Sequence, residues 1–350
     1  MRILLTTDAV GGVLTYSREL VRALAGDGFE FCVAVLGPVA EGAVLPRRYE
    51  HHAGKLEWME EPWADVASAT EWVEGLLGRY QPDVVHVNTY MALRTETPVV
   101  LGAHSCVLSW WQAVKGEAAP ERYDMYRRHV ERALRGADRI VTPSAAMGAA
   151  LAAEYGELPQ VQVIANGRGA GAFVPRPKRP VIVTAGRLWD EAKNLRAVAA
   201  VAPELAWPVF AAGEGNPERV DNLRLLGRLS EADMAAWLGS AAIYALPALY
   251  EPFGLSVLEA ALCGCALVLG DIPSLRELWD GAAVFVNPRD HDGLRAALQQ
   301  LIADDDRRAA LQGMARARAK QYGSARLAAS YREMYRDVVE KSQRRMLCAS

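Results

Sequence analysis

The sequence predicts an α/β protein of two domains, each built on a doubly wound parallel sheet. Three observations support this. The chain has 350 residues, short apolar runs alternate with helical patterns, and a stretch rich in glycine, proline and arginine interrupts them at residues 167–180. A chain of this length is typical of two ordinary domains. Repeated β–α order is typical of parallel sheets covered by helices.

The part of the chain before the interruption predicts six strands and two helices. Several of the strands are continuous apolar runs, as expected where both faces of a sheet are covered. Residues 37–63 show no pattern that predicts an element. The predicted strands are residues 2–6, 29–36, 83–88, 98–103, 138–142 and 161–165, and the predicted helices are residues 13–25 and 123–134.

The interruption itself predicts a linker, and a second α/β set follows it. Domains are therefore expected at residues 1–170 and 178–324, with a final helix at 325–345 that packs back on the first domain. The predicted strands here are residues 181–185, 208–212, 223–226, 242–246, 266–269 and 283–286, and the predicted helices are residues 194–202, 231–238, 256–263, 293–302, 307–321 and 325–341.

Composition limits the classes of protein to which the chain belongs. Its 51% hydrophobic and 23% charged residues are typical of a globular protein. Its formal net charge of −3 gives no electrostatic reason to expect nucleic acid as a binding partner. Five scattered cysteines are typical of reduced thiols. The start lacks the pattern of a signal peptide, and no apolar run approaches the roughly 20 residues that span a bilayer. A cytoplasmic protein is expected, with weak peripheral membrane contact left open.

The stretch from Glu251 to Glu259, EPFGLSVLE, gives the strongest functional signal. It holds two carboxylates eight positions apart, with a turn at residues 252–254 that opens into a helical pattern. A helix start offers backbone N–H groups and a positive dipole end to phosphate. Carboxylates accept hydrogen bonds from sugar hydroxyls. The pattern therefore fits a nucleotide sugar.

A glycine pair follows the first predicted strand, in the run TTDAVGG, where Gly11 and Gly12 precede a helix. Adjacent glycines let backbone N–H groups approach a phosphate closely. The run is not G-x-G-x-x-G, which disfavours a dinucleotide-dependent dehydrogenase.

A basic loop, GRLWDEAKN, follows the first strand of the second set and contains Arg187 and Lys193. A guanidinium and an ammonium that converge on a diphosphate stabilise the charge that builds up on such a leaving group. This loop therefore predicts a diphosphate site.

Together these motifs resemble the large family 4 of retaining glycosyltransferases, with its E-x7-E signature, its glycine-rich first loop and its G-R-L…K-[GN] element. Weaker similarities at residues 137–144, 163–167, 213–215 and 227–229 extend the resemblance from residue 1 to about residue 290. Two positions depart from the family pattern. Lys193 stands six residues after Arg187, where five is commoner, and Ser105 follows His104, where the family commonly has aspartate.

The resemblance implies a GT-B architecture, two Rossmann-like doubly wound domains facing a central cleft. It also implies retaining, metal-independent transfer from a UDP- or GDP-sugar to a hydroxyl acceptor of unknown kind (a saccharide, a lipid-linked molecule or a small molecule), with no cofactor. The implied roles are catalytic for His104 and Glu251, donor-diphosphate binding for Arg187, Lys193, Gly11, Gly12, Phe253, Gly254 and Leu255, nucleoside binding for Glu259 and Arg228, and acceptor-side contacts for Asn88 and Trp110.

Other interpretations stay open at this point. A sugar-nucleotide 2-epimerase shares the fold, and a catalytically silent sugar-nucleotide-binding scaffold would share the binding residues. Two apparent metal motifs have simpler explanations. Asp290-His291-Asp292 opens a predicted helix, which favours helix capping, and Cys263 and Cys265 are too close in sequence for an ordinary zinc site. His86 is interpreted as structural, and no metal site is expected.

Overall fold

A computed structural model describes residues 1–39, 44–46, 48–215 and 219–349 of the chain. Its internal contacts divide the chain into two units. The first comprises Met1–Gln112, Glu117–Gly167 and Ser324–Ser350, and the second comprises Ala113–Gly116 and Arg168–Gly323. The last helix thus belongs to the unit formed by the start of the chain.

The first unit contains a sheet of seven parallel strands. They are β1 (Arg2–Asp8), β2 (Glu30–Leu36), β3 (Tyr49–His52), β4 (Val84–Val87), β5 (Val99–Gly102), β6 (Arg139–Thr142) and β7 (Val161–Val163). Their order across the sheet is β3-β2-β1-β4-β5-β6-β7. The helices of this part of the chain are α1 (Gly12–Leu24), α2 (Trp63–Tyr80), α3 (Val107–Lys115), α4 (Asp124–Gly136) and α5 (Ala145–Tyr155).

The second unit contains a sheet of six parallel strands. They are β8 (Arg179–Ala185), β9 (Val209–Ala212), β10 (Leu223–Gly227), β11 (Ala241–Leu246), β12 (Ala266–Gly270) and β13 (Val284–Val286), in the order β10-β9-β8-β11-β12-β13. Its helices are α6 (Leu195–Val201), α7 (Glu231–Ser240), α8 (Leu255–Leu262), α9 (Pro273–Trp279), α10 (His291–Ala303) and α11 (Asp305–Ala319). The two parallel sheets confirm the predicted fold class of two Rossmann-like units.

All twelve predicted strands are present, with ends that differ by a few residues. The structure adds β3, which lies within residues 37–63, where no element was predicted and where residues 40–43 and 47 are outside the described part. It also adds α2, α3, α5 and α9. The capping prediction is confirmed, because Asp290 accepts a hydrogen bond from the backbone N–H of Gly293 at 2.9 Å at the start of α10.

The last helix, α12 (Ser324–Ala349), packs against α1 through buried tyrosines. Tyr16 of α1 donates a hydrogen bond from its hydroxyl to that of Tyr331. The hydroxyl of Tyr335 lies 2.7 Å from Nδ1 of His86 in β4. A buried phenol needs a hydrogen-bond partner for its hydroxyl. Because Tyr331 and Tyr335 have such partners, α12 can bury both rings against α1 and β4.

Lys178 fixes the segment that leads into β8. Its ammonium donates hydrogen bonds to the carbonyl oxygens of Gly239 at 2.9 Å and Cys263 at 2.7 Å, and a longer one to Leu238 at 3.4 Å. These carbonyls lie at the ends of α7 and α8, where the last turns lack helical partners and the dipole favours a cation. Burial lowers the pKa of Lys178 below its ordinary value. The segment predicted as a linker is therefore held to the second unit by a shielded cation.

Replacing Lys178 by methionine should lower the free energy of unfolding by about 2–3 kcal/mol, because it leaves shielded helix-end carbonyls without their charged donor. The measurement is urea denaturation of the wild type and the variant. Lys320→Met, at an exposed position, is the matched control and should stay within about 0.5 kcal/mol of the wild type. Equal, small effects at the two positions would show that the Lys178 bonds contribute little.

Candidate active site

An ion pair between Lys193 and Glu251 connects two of the predicted site loops. The Lys193 ammonium lies 2.8 Å from Oε2 of Glu251, and the two side chains are only 15% and 14% exposed. Their loops follow β8 and β11, which are neighbours in the second sheet. At this degree of shielding the attraction between the charges is stronger than at an open surface. A predicted diphosphate-binding cation is thus in direct contact with a predicted catalytic acid.

Asn194 explains why Lys193 is held in place. It takes a left-handed conformation, with φ at 54°, at the end of the short turn Glu191–Lys193. Its side-chain amide donates to the carbonyl oxygens of Pro247 at 2.8 Å and Pro288 at 2.6 Å. Asparagine tolerates this conformation better than most residues. The loop after β8 is therefore fixed to the loop after β11 by main-chain acceptors as well as by charge.

Arg187 is paired within its own loop. Its guanidinium donates to Oδ2 of Asp190 at 2.8 Å and lies over the ring of Trp189, 5.2 Å from its centroid. Asp190 also accepts from the backbone N–H of Ala192 at 3.0 Å. The buried carboxylate of Asp190 therefore shapes the turn and orients Arg187. Because the arginine side chain is half-exposed, its guanidinium is accessible to an anionic ligand.

Close approach of two loops requires glycine at position 213. A Cβ atom at Gly213 would lie 1.8 Å from the carbonyl oxygen of Gly186, and its φ of +145° is itself unfavourable for other residues. Leu188 donates its backbone N–H to the carbonyl of Glu214 at 2.9 Å. The weakly matching stretch at residues 213–215 therefore lies directly beside the Arg187 loop.

The turn from Glu251 to Leu255 places a helix start next to the ion pair. Gly254 precedes α8 in a left-handed conformation, with φ at 85°. Phe253 is buried and packs edge-on against Tyr322, with ring centroids 5.7 Å apart. The hydroxyl of Ser274 donates to the carbonyl of Glu251 at 2.6 Å. The side chain of Phe253 thus fixes the turn, and its backbone and that of Leu255 remain the predicted phosphate contacts.

Glu259, on α8, is paired with an arginine that the sequence analysis did not identify. Nε of Arg168 lies 2.9 Å from Oε1 of Glu259, and Nη2 lies 2.9 Å from Oε2 of Glu231. Arg168 stands among glycines in the predicted linker, and this composition hid it. The available signal was its position directly after the Asn166-Gly167 pair. Arg228, the other predicted nucleoside residue, is exposed just after β10.

The glycine pair in the first unit begins α1. Gly11 precedes the helix with φ at 83°, and Gly12 is its first residue. Both are exposed. The backbone N–H groups of the first helical turn have no helical partners. The structure therefore places the pair where the prediction needs it, at an accessible helix start after β1.

His104 is oriented by Asn88. Oδ1 of Asn88 lies 2.8 Å from Nε2 of His104, and Nδ2 of Asn88 donates to the carbonyl of Thr6 at 2.8 Å. Because the amide nitrogen of Asn88 is bound to a carbonyl, its oxygen must face the histidine, and Nε2 of His104 must carry a proton. Burial lowers the pKa of His104 to about 4. At neutral pH the ring is therefore uncharged, with Nδ1 as its acceptor atom.

Gly102 leaves room for this pair of side chains. A Cβ atom at Gly102 would lie 2.3 Å from Oδ1 of Asn88 and 3.0 Å from Nε2 of His104. The ring of Tyr16 packs on the other side, with its centroid 4.5 Å from that of His104. The family usually has aspartate where this chain has Ser105, so the sequence alone left the orientation of the His104 ring undefined. Asn88 supplies that orientation.

The remaining predicted residues of the first unit have aromatic surroundings. His86 is fully buried, and burial lowers its pKa to about 3, which agrees with a structural role. Trp110 is partly exposed on α3 and packs edge-on against Trp111, with centroids 5.9 Å apart. Trp111 in turn lies under the guanidinium of Arg122, 5.3 Å away.

The described residues contain neither a candidate metal cluster nor a candidate membrane-spanning helix. No group of three or more histidine, cysteine, aspartate or glutamate side chains there could hold a metal ion. None of the helices in that part of the chain is both long enough and apolar enough to cross a membrane.

Comparison with known proteins gives consistent matches. Residues 10–168 match the family described as Glycosyltransferase Family 4, and residues 179–304 match Glycosyl transferases group 1. A phosphatidyl-myo-inositol mannosyltransferase of Mycolicibacterium smegmatis is 26% identical, over 95% of this chain and 91% of that protein.

Solved structures share the fold of the chain. A sucrose-phosphate synthase from Thermosynechococcus elongatus superposes with a TM-score of 0.82 at 18% identity, covering 97% of this chain and 100% of that one. Anabaena HepE, solved with UDP and glucose, has a TM-score of 0.73 at 17% identity, covering 96% of this chain and 100% of that one.

Asn88→Asp should raise the pKa of His104 from about 4 by about 1–3 units, because an adjacent carboxylate stabilises the charged imidazolium. The measurement is an NMR titration of the His104 ring. In Asn88→Ala, burial persists without the new charge, so the pKa should stay low, but the proton of the neutral ring is no longer held on Nε2. An unchanged or lowered pKa in Asn88→Asp would contradict the contact.

Proposed function

Because the chain belongs to family 4 of the glycosyltransferases and has the GT-B fold, we propose that it transfers a sugar from a UDP- or GDP-sugar to a hydroxyl acceptor, with retention and without a metal. The observation that carries this proposal is the contact of Lys193 with Glu251, with Arg187 in the same loop as the lysine. These groups match the two ends of a sugar diphosphate, one anionic and one rich in hydroxyls.

In this proposal, Arg187 and Lys193 bind the diphosphate. When the bond between the sugar C1 and the phosphate oxygen breaks, negative charge builds up on the leaving diphosphate. Two cations held in a shielded loop stabilise that charge, and they do so where other enzymes use a divalent ion. The helix start at Gly254 and Leu255 supplies further N–H donors.

The remaining roles follow from the sugar end of the donor. The Glu251 carboxylate accepts hydrogen bonds from sugar hydroxyls. The neutral His104 offers Nδ1 as an acceptor of fixed orientation. The acceptor hydroxyl attacks C1 on the face that the diphosphate leaves, and its proton passes to the departing diphosphate oxygen. Retention then needs no covalent sugar–enzyme intermediate, unlike a retaining glycosidase with its close carboxylate pair.

The acceptor is proposed only by class. The mycobacterial relative is named for a phosphatidyl-inositol substrate, which supports a hydroxyl-rich acceptor, either free or lipid-linked, and keeps weak membrane contact within the proposal. Asn88 and Trp110 are the proposed acceptor-side residues. A cytoplasmic setting is proposed because the chain has only five scattered cysteines, as is usual in reducing compartments.

A screen of the purified protein against UDP-, GDP- and ADP-sugars should show a thermal shift with one nucleotide class and slow hydrolysis of that donor. The hydrolysis should not change when EDTA is added, since Arg187 and Lys193 supply the positive charge. Loss of activity in EDTA, restored by a divalent cation, would overturn metal independence. Release of a 2-epimer instead of free sugar would overturn the transferase assignment.

Glu251→Gln should lower kcat by roughly 100-fold, in the range typical for loss of one catalytic electrostatic or proton-transfer group. Binding of the nucleoside diphosphate should not weaken, because Lys193 loses its competing carboxylate. Isothermal titration and initial rates measure the two quantities. Lys193→Met is the informative counterpart, since it should weaken diphosphate binding. A Glu251→Gln enzyme with full kcat, or with lost nucleotide affinity, would contradict the assigned role.

A further inference from the structure

We propose that Arg168 is a positioning residue for nucleotide recognition: it orients the Glu259 carboxylate toward the vicinal hydroxyls of the ribose. This inference rests on the proposed function, and in particular on the nucleoside-binding role of Glu259. The family-like stretch at residues 163–167 ends directly before Arg168 and does not include the arginine.

Arg168 is the centre of a buried charge group in the second unit. Its side chain is 8% exposed and binds Glu259, 11% exposed, and Glu231, 42% exposed, each at 2.9 Å. The guanidinium also lies over the ring of Phe173, 4.8 Å from its centroid. A carboxylate as buried as Glu259 is costly without an opposite charge. Arg168 therefore allows Glu259 to remain charged inside the protein.

The two bonds also fix the direction of the Glu259 carboxylate. A guanidinium is planar, and its N–H donors keep fixed angles to one another. Because Nη2 is bound to Glu231, the plane of the arginine cannot turn freely, and Nε donates to Oε1 of Glu259. Glu231 lies in the first turn of α7, where the helix dipole favours an acid. The orientation of Glu259 is thus determined by a neighbouring helix.

The backbone of Arg168 is held as firmly as its side chain. Its N–H donates to the carbonyl of Tyr322 at 2.9 Å, and it forms a parallel bridge with Gly323. Tyr322 is the residue that packs against Phe253 in the predicted donor turn. Arg168 therefore contacts both ends of the motif. Its backbone binds Tyr322, which packs on the turn after Glu251, and its side chain binds the carboxylate of Glu259.

A vicinal diol donates two hydrogen bonds to a carboxylate only if the carboxylate presents itself at the right angle. When Arg168 is removed, Glu259 loses both the opposite charge that balances it and the donor that fixes its direction. Arg168→Met should therefore behave like Glu259→Gln toward the ribose and like the wild type toward the rest of the nucleotide.

The test compares UDP and GDP with their 2′,3′-dideoxy counterparts by isothermal titration. The wild type should prefer the ribonucleotide by about 10- to 100-fold, as expected for hydrogen bonds to a charged group. In Arg168→Met this preference should fall to within about threefold, while affinity for the dideoxy form stays unchanged. Arg295→Met is the matched control, because Arg295 also bridges two acids, Glu204 and Asp292, and it should keep the full preference.

Each outcome decides the inference. An Arg168→Met protein that keeps the preference, or loses affinity for both nucleotide forms equally, overturns the positioning role and leaves the proposed function standing. A wild type that binds neither UDP nor GDP overturns both. If the methionine variant does not fold, Arg168→Lys keeps the charge without the planar donors, and its preference should fall at least about threefold. A lysine variant with the full wild-type preference would also refute the role.

Discussion

The ion pair of Lys193 and Glu251 is the interaction on which the rest of the candidate donor site depends. It joins two loops that are 58 residues apart in sequence and are brought together because β8 and β11 are neighbours in the sheet. Neither charge would be stable alone at this burial. The turn that follows Glu251, and with it the start of α8, therefore keeps its position relative to the basic loop as long as the pair is present.

The two units stabilise their functional groups by different means. In the second unit the charged residues of the candidate site have opposite charges beside them, Asp190 for Arg187 and Arg168 for Glu259. In the first unit the functional group is uncharged. Burial keeps His104 neutral, and an amide fixes its ring. Paired charges suit a ligand that brings both anionic oxygens and hydroxyl donors, because a cation and a carboxylate are already present. A neutral, oriented ring suits the binding of hydroxyls, because its acceptor atom is already defined.

The sequence predicted the parallel sheets well because most of their central strands are buried on both faces and form continuous apolar runs. It missed β3, whose side chains alternate between exposed and half-buried positions and include two histidines. It named both partners of the Lys193–Glu251 pair but not their contact, because the order of strands in a sheet is not written in local patterns. It missed Arg168 entirely, since a single arginine among glycines looks like a loop residue until the carboxylate that it binds, 91 residues away, is known.

The pairing of charges also bears on the donor that is proposed for the site. Lys193 and Glu251 together carry no net charge, nor do Arg187 and Asp190. A bare pyrophosphate would draw the Lys193 ammonium away from Glu251 and give that carboxylate nothing in return, which is costly at this degree of shielding. A nucleotide sugar brings phosphate oxygens for the cations and, in the same molecule, hydroxyl donors for Glu251. Lys193 and Glu251 then each exchange one partner for another, so the proposed site favours the complete donor over its anionic fragment.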